Sequence, residues 1–446
     1  MADLSRSDVR LLGLLKVIYD AGQISRTDLV EQTGYSPFLV SKMCDELLES
    51  RFIRESGPGN STGGRPPTLV SIDADSGKVV GLHIGTIYAR IVVTDLSGTL
   101  LAFRKVRSQV ATGPDAALGH LTSEVDETLQ QAGIGREQVR GIGVGISGVL
   151  DRSTGTTLFW PKVPQWVNVP VKQTFAAKFE TIVEVEDTPR TMALAERRFG
   201  PGTQASEHVY VSVGAGTGAA FFLTGQLYTG GGGFAGELGH VTVDEHGPLC
   251  SCGNRGCLEM MVSASVLIKQ AQNAVTQSLS PILWRLSGGD LDKISLELIG
   301  QAAVESDRFA RSLLHEAGSF LGMGLVVIVN LLNPTHITVG GGLALAAGQF
   351  LLPAVEQVLR NRALEPQAAA VSVRLSELGE ADWARGAALL VTKKALEASF
   401  LNSRSNPRQL NPALSLKENG AAKLRNGREC SPVSIATTQG NHQPLS

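Results

Sequence analysis

Three cysteines and a histidine lie close together near the middle of this 446-residue chain. Cys250, Cys252 and Cys257 follow the spacing C-x-C-x4-C, and His240 lies nine intervening residues upstream. Three thiolates and one imidazole complete a closed, structural zinc site, whereas a catalytic zinc keeps one position open for water. His246 is an alternative fourth ligand, less favoured because a Gly-Pro turn follows it. The competing interpretation is three buried or reactive cysteines with an incidental histidine.

Two carboxylates accompany these ligands in residues 237–259, which we call the zinc loop. Glu237 precedes His240 by three residues, and Glu259 follows Cys257 by two. A short, glycine-rich loop folds readily around an ion, and the binding of the ion then contributes to folding. We therefore expect a structural zinc ion to stiffen the loop that carries both carboxylates.

Composition and charge restrict the classes of protein to which the chain can belong. Its length suggests about two to four domains. A hydrophobic share of 43% is that of a globular protein, and a net charge of −2 gives no global sign of nucleic-acid binding. The sequence shows neither an apolar run of about 18 residues nor a secretory signal, so we expect no membrane span. The remaining cysteines, Cys44 and Cys430, lie in unlike contexts, which favours a reducing cytoplasm over a disulfide framework.

Residues 1–72 predict three helices followed by two strands. Apolar residues keep helical spacing from Val9 to Ile18, and a short second helix ends before a glycine. A third helix begins near Ser36, with a proline in its first turn. Residues 51–72 then form two strands around a glycine-rich loop. This order of elements indicates a winged helix-turn-helix domain.

In such a domain the third helix enters the major groove, and its N-terminal residues reach the base edges. The residues predicted to contact DNA are Ser36, Phe38, Ser41 and Lys42 in the third helix, and Arg65 in the wing, where arginine suits a minor groove. Residues 1–71 nevertheless contain eight basic and nine acidic side chains. A small helical bundle used for protein contact is therefore the alternative interpretation.

The body of the chain, residues 78–398, has the pattern of an α/β protein. Two strand-turn-strand units, at 78–106 and 209–228, are each followed by further strands and helices. This predicts two related lobes, 78–200 and 201–398, with a cleft between them. The C-terminal helices are expected to return to the first lobe.

Individual elements of the body can also be predicted. Helices are expected at about 115–132, 264–277, 305–332 and 381–398, and buried strands at 139–146 and 336–339. Residues 399–446 are rich in Ser, Asn, Gln, Pro and Gly and show no period, so we expect a disordered tail. Residues 400–446 carry six basic and two acidic side chains, a weak electrostatic assist to DNA at most.

Together these segments resemble the ROK family (repressors, open reading frames and kinases). The resemblance covers residues 78–398, and the N-terminal part through the winged helix. It is most specific in GELGH…CSCGNRGCLE, which is similar to the family's zinc-loop signature at each ligand position. It implies a two-lobed actin-like ATPase (ribonuclease H-like) fold with an N-terminal winged helix-turn-helix domain. It also implies that Glu237, His240 and Glu259 bind a sugar, since fixed polar groups penalise the wrong stereoisomer.

The family contains sugar kinases and transcription factors, and two glycine hairpins distinguish these branches. Kinases carry Asp-x-Gly-Gly-Thr-Lys in the first hairpin, where this chain has HIGTIY at residues 83–88, beginning with His83. The carboxylate, the hydroxyl and the lysine are all replaced. The second hairpin, usually Gly-Thr-Gly-x-Gly, reads GAGTG at residues 214–218 and loses its first hydroxyl. Phosphoryl transfer depends on such groups for positioning and charge neutralisation, so the resemblance favours a regulator.

The position of the kinases' catalytic base is altered as well. Counting back from the ALAE run at residues 193–196, the family's Asn-Asp pair falls on Asp187 and Thr188. A neutral hydroxyl cannot take the sugar proton near neutral pH, so no catalytic residue is assigned. A one-residue slip that makes Asp187 the base is the alternative, because Pro189 can distort the turn.

Two cations replace asparagines that contact sugar in the family. Lys162 stands at the asparagine of the Pro-Asn-x-Pro-Gly-Trp segment, and Arg190 at the second asparagine of the Asn-Asp-x-Asn run. Two cations near one pocket predict an anionic ligand, such as a sugar phosphate or sugar acid. The alternative is that both side chains point to solvent or pair with Glu184 or Glu186.

The sequence therefore predicts a cytoplasmic transcription regulator, a repressor of sugar-metabolism genes. We expect a homodimer or homotetramer on palindromic operator DNA, whose winged helices change their spacing when a sugar or sugar phosphate binds in a degenerate kinase cleft. One alternative is an ATP-dependent sugar kinase with an added DNA-binding domain. Another is a sensor whose body binds a transport or signalling protein.

Overall fold

A computed structural model describes residues 5–59, 66–201 and 205–405. The N-terminal elements are α1 (Arg6–Ala21), β1 (Gln23–Ser25), α2 (Arg26–Thr33), α3 (Pro37–Glu49), β2 (Ile53–Pro58) and β3 (Thr68–Ile72). The strands form an antiparallel sheet in the order β1-β3-β2. Capping boxes begin the first two helices, at Ser5 with Asp8 and at Ser25 with Asp28. Three helices and a small antiparallel sheet that contains β2 and β3 thus occupy residues 5–72, apart from 60–65, which lie outside the described residues.

The next eleven elements form lobe 1. They are β4 (Lys78–Ile84), β5 (Tyr88–Asp95), β6 (Leu100–Arg107), α4 (Pro114–Gln131), β7 (Val139–Ile146), β8 (Val149–Asp151), β9 (Thr156–Phe159), β10 (Val167–Val169), α5 (Val171–Phe179), β11 (Ile182–Asp187) and α6 (Thr188–Phe199). The main sheet has the order β11-β7-β4-β5-β6, and β8, β9 and β10 form a separate small sheet. Apolar side chains of the main sheet, α4 and α5 form the core of this lobe.

Lobe 2 and the C-terminal helix follow. Their elements are β12 (His208–Val213), β13 (Thr217–Leu223), β14 (Gln226–Tyr228), α7 (Glu259–Val262), α8 (Ala264–Thr276), α9 (Pro281–Ser287), α10 (Leu296–Val304), α11 (Arg308–Leu332), β15 (His336–Gly340), α12 (Gly342–Arg362), α13 (Glu365–Ala370), β16 (Ser372–Leu375) and α14 (Glu380–Ser405). The sheet order is β14-β13-β12-β15-β16. The zinc loop connects β14 with α7.

The two main sheets share one topology. In each, three consecutive strands pair antiparallel, and two later strands add in parallel beside the first strand of the three. The predicted repeat of a strand-turn-strand unit therefore corresponds to two lobes with the same strand order. The chain has the two-lobed actin-like fold in an α/β protein.

Helix α14 packs against the sheet of lobe 1, although it follows lobe 2 in the chain. A Cβ atom at Gly81 would lie 2.0 Å from the carbonyl oxygen of Ala384, and one at Gly143 would lie 1.8 Å from that of Ala387. Only glycine permits so close an approach of helix and strand backbones. The helix extends to Ser405, whereas the sequence predicted its end at residue 398 and disorder from 399. Residues 406–446 of the predicted tail lie outside the described residues.

Helices α11 and α12 are long and apolar enough to cross a membrane, judged by length and composition. In this fold they pack against each other over the core of lobe 2. A Cβ atom at Gly318 of α11 would lie 2.5 Å from the carbonyl oxygen of Leu351 in α12. Many of their apolar side chains therefore belong to the core of lobe 2.

Candidate functional site

The three cysteines and His240 converge within the zinc loop, with one candidate ligand atom of each within 4.8 Å of the others. Nδ1 of His240 lies 3.7 Å from Sγ of Cys250, and Sγ of Cys252 lies 3.7 Å from Sγ of Cys257. Four ligand atoms placed about 2.0–2.3 Å from a central ion are separated by about 3.5–3.8 Å in a tetrahedron. One nitrogen and three sulfurs at these separations fit a closed metal site.

The backbone of the zinc loop is shaped to bring these ligands together. Two short antiparallel bridges fold the loop onto itself. Gly256 has a φ of 61°, and a Cβ atom there would lie 1.5 Å from the carbonyl oxygen of Asp244, so only glycine fits. His246, the alternative ligand, is exposed and lies outside the cluster. The structure therefore groups His240 with the cysteines.

Glu259 connects the zinc loop with the glycine turn between β12 and β13. Its nearly buried carboxylate accepts a hydrogen bond of 2.9 Å from the backbone N–H of Thr217. The ammonium group of Lys162 lies 3.0 Å from the other carboxylate oxygen and also donates to the carbonyl of Ala215. Lys162 belongs to lobe 1, whereas Ala215 and Glu259 belong to lobe 2. The lysine therefore bridges the cleft.

Arg190 is buried and makes hydrogen bonds within and across the lobes. It donates to Glu186 at 3.0 Å and to the backbone carbonyls of Gly233 and Ala235 at 2.8 and 2.7 Å. Glu186 is buried as well and forms a second ion pair, of 2.6 Å, with Arg152. Arg190 thus has its charge balanced inside the protein and ties α6 to the segment before the zinc loop.

These contacts show the partners that Lys162 and Arg190 have without a ligand. Arg190 pairs with Glu186, as in the alternative interpretation, and Lys162 pairs with Glu259, a partner that the sequence did not suggest. Neither cation is available to balance the charge of a phosphate unless it leaves its carboxylate.

Asp187, Glu237 and His240 face one another at the cleft. Nε2 of His240 lies 3.9 Å from a carboxylate oxygen of Glu237, so the imidazole presents one nitrogen to the sulfurs and the other to the cleft. Burial and, after it, the nearby charge of Glu237 raise the pKa of Asp187 to about 8, against the opposing charge of Arg190. At neutral pH the Asp187 carboxyl therefore holds its proton and can donate a hydrogen bond to a ligand oxygen.

Thr188 is buried at the first position of α6, and its hydroxyl lies 3.3 Å from that of Ser147. Strand β11 ends at Asp187, and α6 starts at the next residue with Pro189 in its first turn, where proline is well tolerated. The proline therefore does not distort this turn. A threonine hydroxyl faces the cleft where the resemblance predicts the kinases' catalytic base.

The first glycine hairpin, between β4 and β5, is filled by packed side chains. The ring of His83 lies 5.6 Å from that of Trp383 in α14, and the guanidinium of Arg90 lies 4.6 Å from the same indole ring. Arg90 forms an ion pair of 2.8 Å with Glu380. Burial and the charge of Arg90 lower the pKa of His83 to about 3, so the imidazole is neutral. The Glu380 carboxylate of this arrangement is paired with Arg90 and Lys105, and position 83, where the kinases carry an aspartate, holds a neutral imidazole.

The residues predicted to contact DNA lie in the first half of α3. The Ser36 hydroxyl accepts a hydrogen bond of 3.3 Å from the N–H of Leu39, which makes it the N-cap of the helix. The Ser41 hydroxyl accepts one of 2.9 Å from Arg26. Phe38 and Lys42 are exposed. Arg65, which the sequence predicted in the wing, lies outside the described residues.

Sequence reasoning missed the groups that surround the predicted site. Glu186 came up only as a possible partner, and Arg152 was not considered, although the two form an ion pair. Trp383 and Glu380 complete the first hairpin from nearly 300 residues away in the chain. No local spacing links such residues, so only the return of α14 to lobe 1 could have indicated them.

A comparison with known proteins places these features in a wider group. The model of the ROK family matches residues 79–394. The xylose repressor of Caldicellulosiruptor bescii is 30% identical over 83% of this chain and 92% of its own length. The DNA-binding transcriptional dual regulator NagC of Escherichia coli is 29% identical over 86% of this chain and 93% of its own.

Solved structures show the same two branches. A ROK family transcriptional regulator, a homologue of the E. coli MLC protein, has a TM-score of 0.72 at 27% identity and covers 89% of this chain and 98% of its own. A ROK family glucokinase from Streptomyces griseus, in complex with glucose and AMPPNP, has a TM-score of 0.64 at 27% identity, covering 70% of this chain and 99% of its own. The chain belongs to the ROK family.

Proposed function

We propose that this protein is a DNA-binding transcriptional repressor whose operator affinity is set by a sugar bound in the cleft between its lobes. The observation that carries the proposal is the union of two parts in one chain. A winged helix-turn-helix arrangement precedes a kinase-like body that keeps Glu237, His240 and Glu259 at the cleft but has His83 at the first hairpin. A relative named xylose repressor and one named DNA-binding transcriptional dual regulator, both similar over most of both chains, support this combination.

The effector that the site supports best is a neutral sugar. Lys162 and Arg190 already pair with carboxylates, so a phosphate would have to compete with Glu259 and Glu186 for them. A sugar hydroxyl can instead donate to Glu259 or Glu237 and accept from the protonated Asp187. Hydroxyl groups both donate and accept hydrogen bonds, which suits a site that mixes ionised and neutral carboxyl groups.

A role in phosphoryl transfer is disfavoured by the same geometry. The kinase reaction needs a charged group near the transferred phosphoryl and a base near the sugar hydroxyl. His83 is buried and neutral, packed on Trp383, and Thr188 has a hydroxyl that does not ionise near neutral pH. We therefore propose binding without turnover.

We further propose that the cluster in the zinc loop holds a structural zinc ion. One imidazole and three thiolates suit zinc, and four protein ligands leave no position for a reacting water. When bound, the ion supplies cross-linking and not catalysis. The sugar would then be contacted by the chain's own side chains. Nε2 of His240 faces Glu237, and Glu259 follows the last cysteine by two residues, so both carboxylates lie on the loop that the ion holds.

Helix α6 offers a direct connection from the cleft to the DNA-binding domain. Its first turn contains Thr188 and Arg190, and near its end Arg198 donates a 3.1 Å hydrogen bond to the carbonyl of Asp20 in α1. Twelve helical residues span about 18 Å. Lys393 of α14 forms an ion pair of 2.6 Å with the side chain of Asp20. A ligand that moves the start of α6 therefore acts on the base of the winged helix.

We expect the repressor to act as a symmetric assembly in the cytoplasm. Palindromic operators match proteins with two-fold symmetry, so we propose a homodimer or homotetramer that acts in the cytoplasm. Ligand can shift operator binding only by its difference in affinity for the two arrangements of the winged helices.

The proposal can be tested by selecting duplexes from a random DNA pool with the full chain and titrating a panel of neutral sugars against the selected operator. We expect one sugar to change operator affinity at least tenfold, and its phosphate to act more weakly. A coupled assay of ATP consumption with the same panel should show no turnover. Appreciable turnover would establish the kinase instead, and a chain that selects no duplex would refute the repressor.

A further inference from the structure

Phe38 is the most exposed of the large hydrophobic residues in the part of the chain that the structure describes, with 80% of its surface accessible. It occupies the first turn of α3, the recognition helix of the proposed DNA-binding domain. A single exposed apolar residue is common on protein surfaces and carries little information by itself. Its position is informative, because the N-terminal residues of a recognition helix are those that reach base edges.

The other predicted contacts in this helix are less available than Phe38. Ser36 is committed to the N-cap of α3, and Ser41 accepts a hydrogen bond from Arg26, which also pairs with Asp45 at 2.8 Å. Lys42 is exposed one helical turn after Phe38 and lies on the same side of the helix. The side of α3 that can meet DNA therefore presents an aromatic ring followed by a cation.

The chemistry of the phenyl ring restricts what it can recognise. A phenylalanine side chain has neither donor nor acceptor, so it cannot read the hydrogen-bonding pattern of a base pair. The C5-methyl group of thymine is the apolar feature that the bases present in the major groove, and phenylalanine is one of the residues that contact it. Lysine one turn later can bind a phosphate or a guanine on the same side.

We propose that Phe38 is a specificity-determining residue, which selects thymine in each operator half-site through contact with its C5-methyl group. This inference rests on the proposed function, because it requires α3 to enter the major groove. It adds that one half-site position is recognised by apolar contact alone. The recognised group is therefore the methyl and not the thymine oxygen or the pairing pattern.

The test removes only the methyl group. Operators selected by the full chain are synthesised with each thymine replaced in turn by deoxyuridine, and affinities are measured for wild type, Phe38→Ala and Lys42→Ala. Burial of one methyl group is worth about a fourfold change in affinity. We expect wild type to lose about fourfold per half-site at one thymine position. Phe38→Ala should bind the unmodified operator more weakly and show no further loss with deoxyuridine there.

Controls separate this contact from general weakening. Lys42→Ala should lose affinity on every duplex, with a smaller dependence on salt, and remain sensitive to deoxyuridine at the Phe38 position. Placing 5-methylcytosine at that position in a cytosine-substituted operator should restore binding for wild type but not for Phe38→Ala. Unchanged thermal unfolding of Phe38→Ala would show that its loss of affinity comes from the contact, since the side chain lies outside the core.

The outcomes distinguish this inference from the function on which it rests. If wild type selects operators but responds to deoxyuridine at no position, or if Phe38→Ala keeps the same sensitivity as wild type, the methyl contact is refuted while the repressor stands. A loss in Phe38→Ala without any response to deoxyuridine would indicate another role for the ring and also refute it. If the full chain selects no duplex, both proposals fail.

Discussion

The turns between β4 and β5 and between β12 and β13 occupy equivalent places in two sheets of the same strand order, but they have different partners. The turn in lobe 2 offers the N–H of Thr217 to Glu259, whose carboxylate reaches across the cleft to Lys162. The turn in lobe 1 has His83 packed against Trp383. The turn in lobe 2 thus contacts a carboxylate of the zinc loop, whereas the strand that leads into the turn of lobe 1 packs its imidazole on α14.

This difference suggests how a kinase-like fold can serve as a sensor. The polar contacts with the zinc loop and the packed aromatic contacts with α14 involve separate lobes and separate turns, so one set can be kept while the other changes. A packed imidazole, indole and guanidinium in lobe 1 stabilise the return of α14 without any ligand. Variants at each turn can test whether the two turns are independent in function, as their different contacts suggest.

The largest expected effect comes from disrupting the metal site in the zinc loop of lobe 2. Cys250→Ser leaves one thiolate fewer for the ion, and structural zinc commonly contributes many kcal/mol to local folding. We expect loss of about one bound zinc per chain by metal analysis, and loss of the sugar response of operator binding. His246→Ala, in the same loop but outside the cluster, is the matched control and should keep both. Retention of zinc and response by Cys250→Ser would contradict the coupling.

The next effect concerns the carboxylate that joins the zinc loop to the turn. Glu259→Gln keeps an oxygen for the Thr217 N–H but removes the charge that a sugar hydroxyl would bind. Hydrogen bonds to charged groups are worth about 1.5–3 kcal/mol, so calorimetry should show sugar affinity lower by roughly 10- to 100-fold. Operator binding without sugar should be unchanged. An unaltered sugar affinity would mean that Glu259 serves only Lys162 and Thr217.

The corresponding change in lobe 1 should have the opposite signature. His83→Ala removes a buried ring from between β4 and α14, so we expect the free energy of unfolding to fall by about 1–3 kcal/mol. Sugar affinity and zinc content should remain those of wild type, because the ring contacts neither the zinc loop nor Glu259. Urea unfolding and calorimetry on the same preparation measure both quantities. A sugar affinity reduced as strongly as in Glu259→Gln would show that the two turns are not independent.

The sequence predicted the elements that carry local patterns. The spacing C-x-C-x4-C with His240 predicted the cluster, and hydrophobic periodicity predicted α4, β7 and α11 to within a few residues. The sequence did not predict α9, α10, α12 or the small sheet β8-β9-β10. The hydrophobic patterns of these segments are either short or lack regularly spaced polar residues. Contacts between distant segments were missed most often. Lys162 was expected to meet a ligand, and its ion pair with Glu259 was not foreseen, because charge at a position does not reveal which partner the fold supplies.

A further effect concerns the proton on Asp187, at the end of β11 in lobe 1. Its pKa is raised to about 8 from an ordinary value of 3.8, so the folded state binds more protons than the unfolded state between these values. The free energy of unfolding therefore falls as pH rises through this window, by at most about 1.4 kcal/mol per pH unit. Asp187→Asn cannot lose a proton and lacks this contribution.

The free energy of unfolding of Asp187→Asn, minus that of wild type, should thus rise from about pH 4 to pH 8. Above pH 8 this difference should stay constant. Urea unfolding at one-unit intervals of pH measures it. Glu237→Gln removes a charge that raises the pKa of Asp187, so in that background the rise should end at a lower pH. Parallel curves for wild type and Asp187→Asn would mean that the carboxyl is ionised throughout. In that case it could accept a hydrogen bond from a sugar but could not donate one, and Asp187 would join Glu237 and Glu259 as an acceptor.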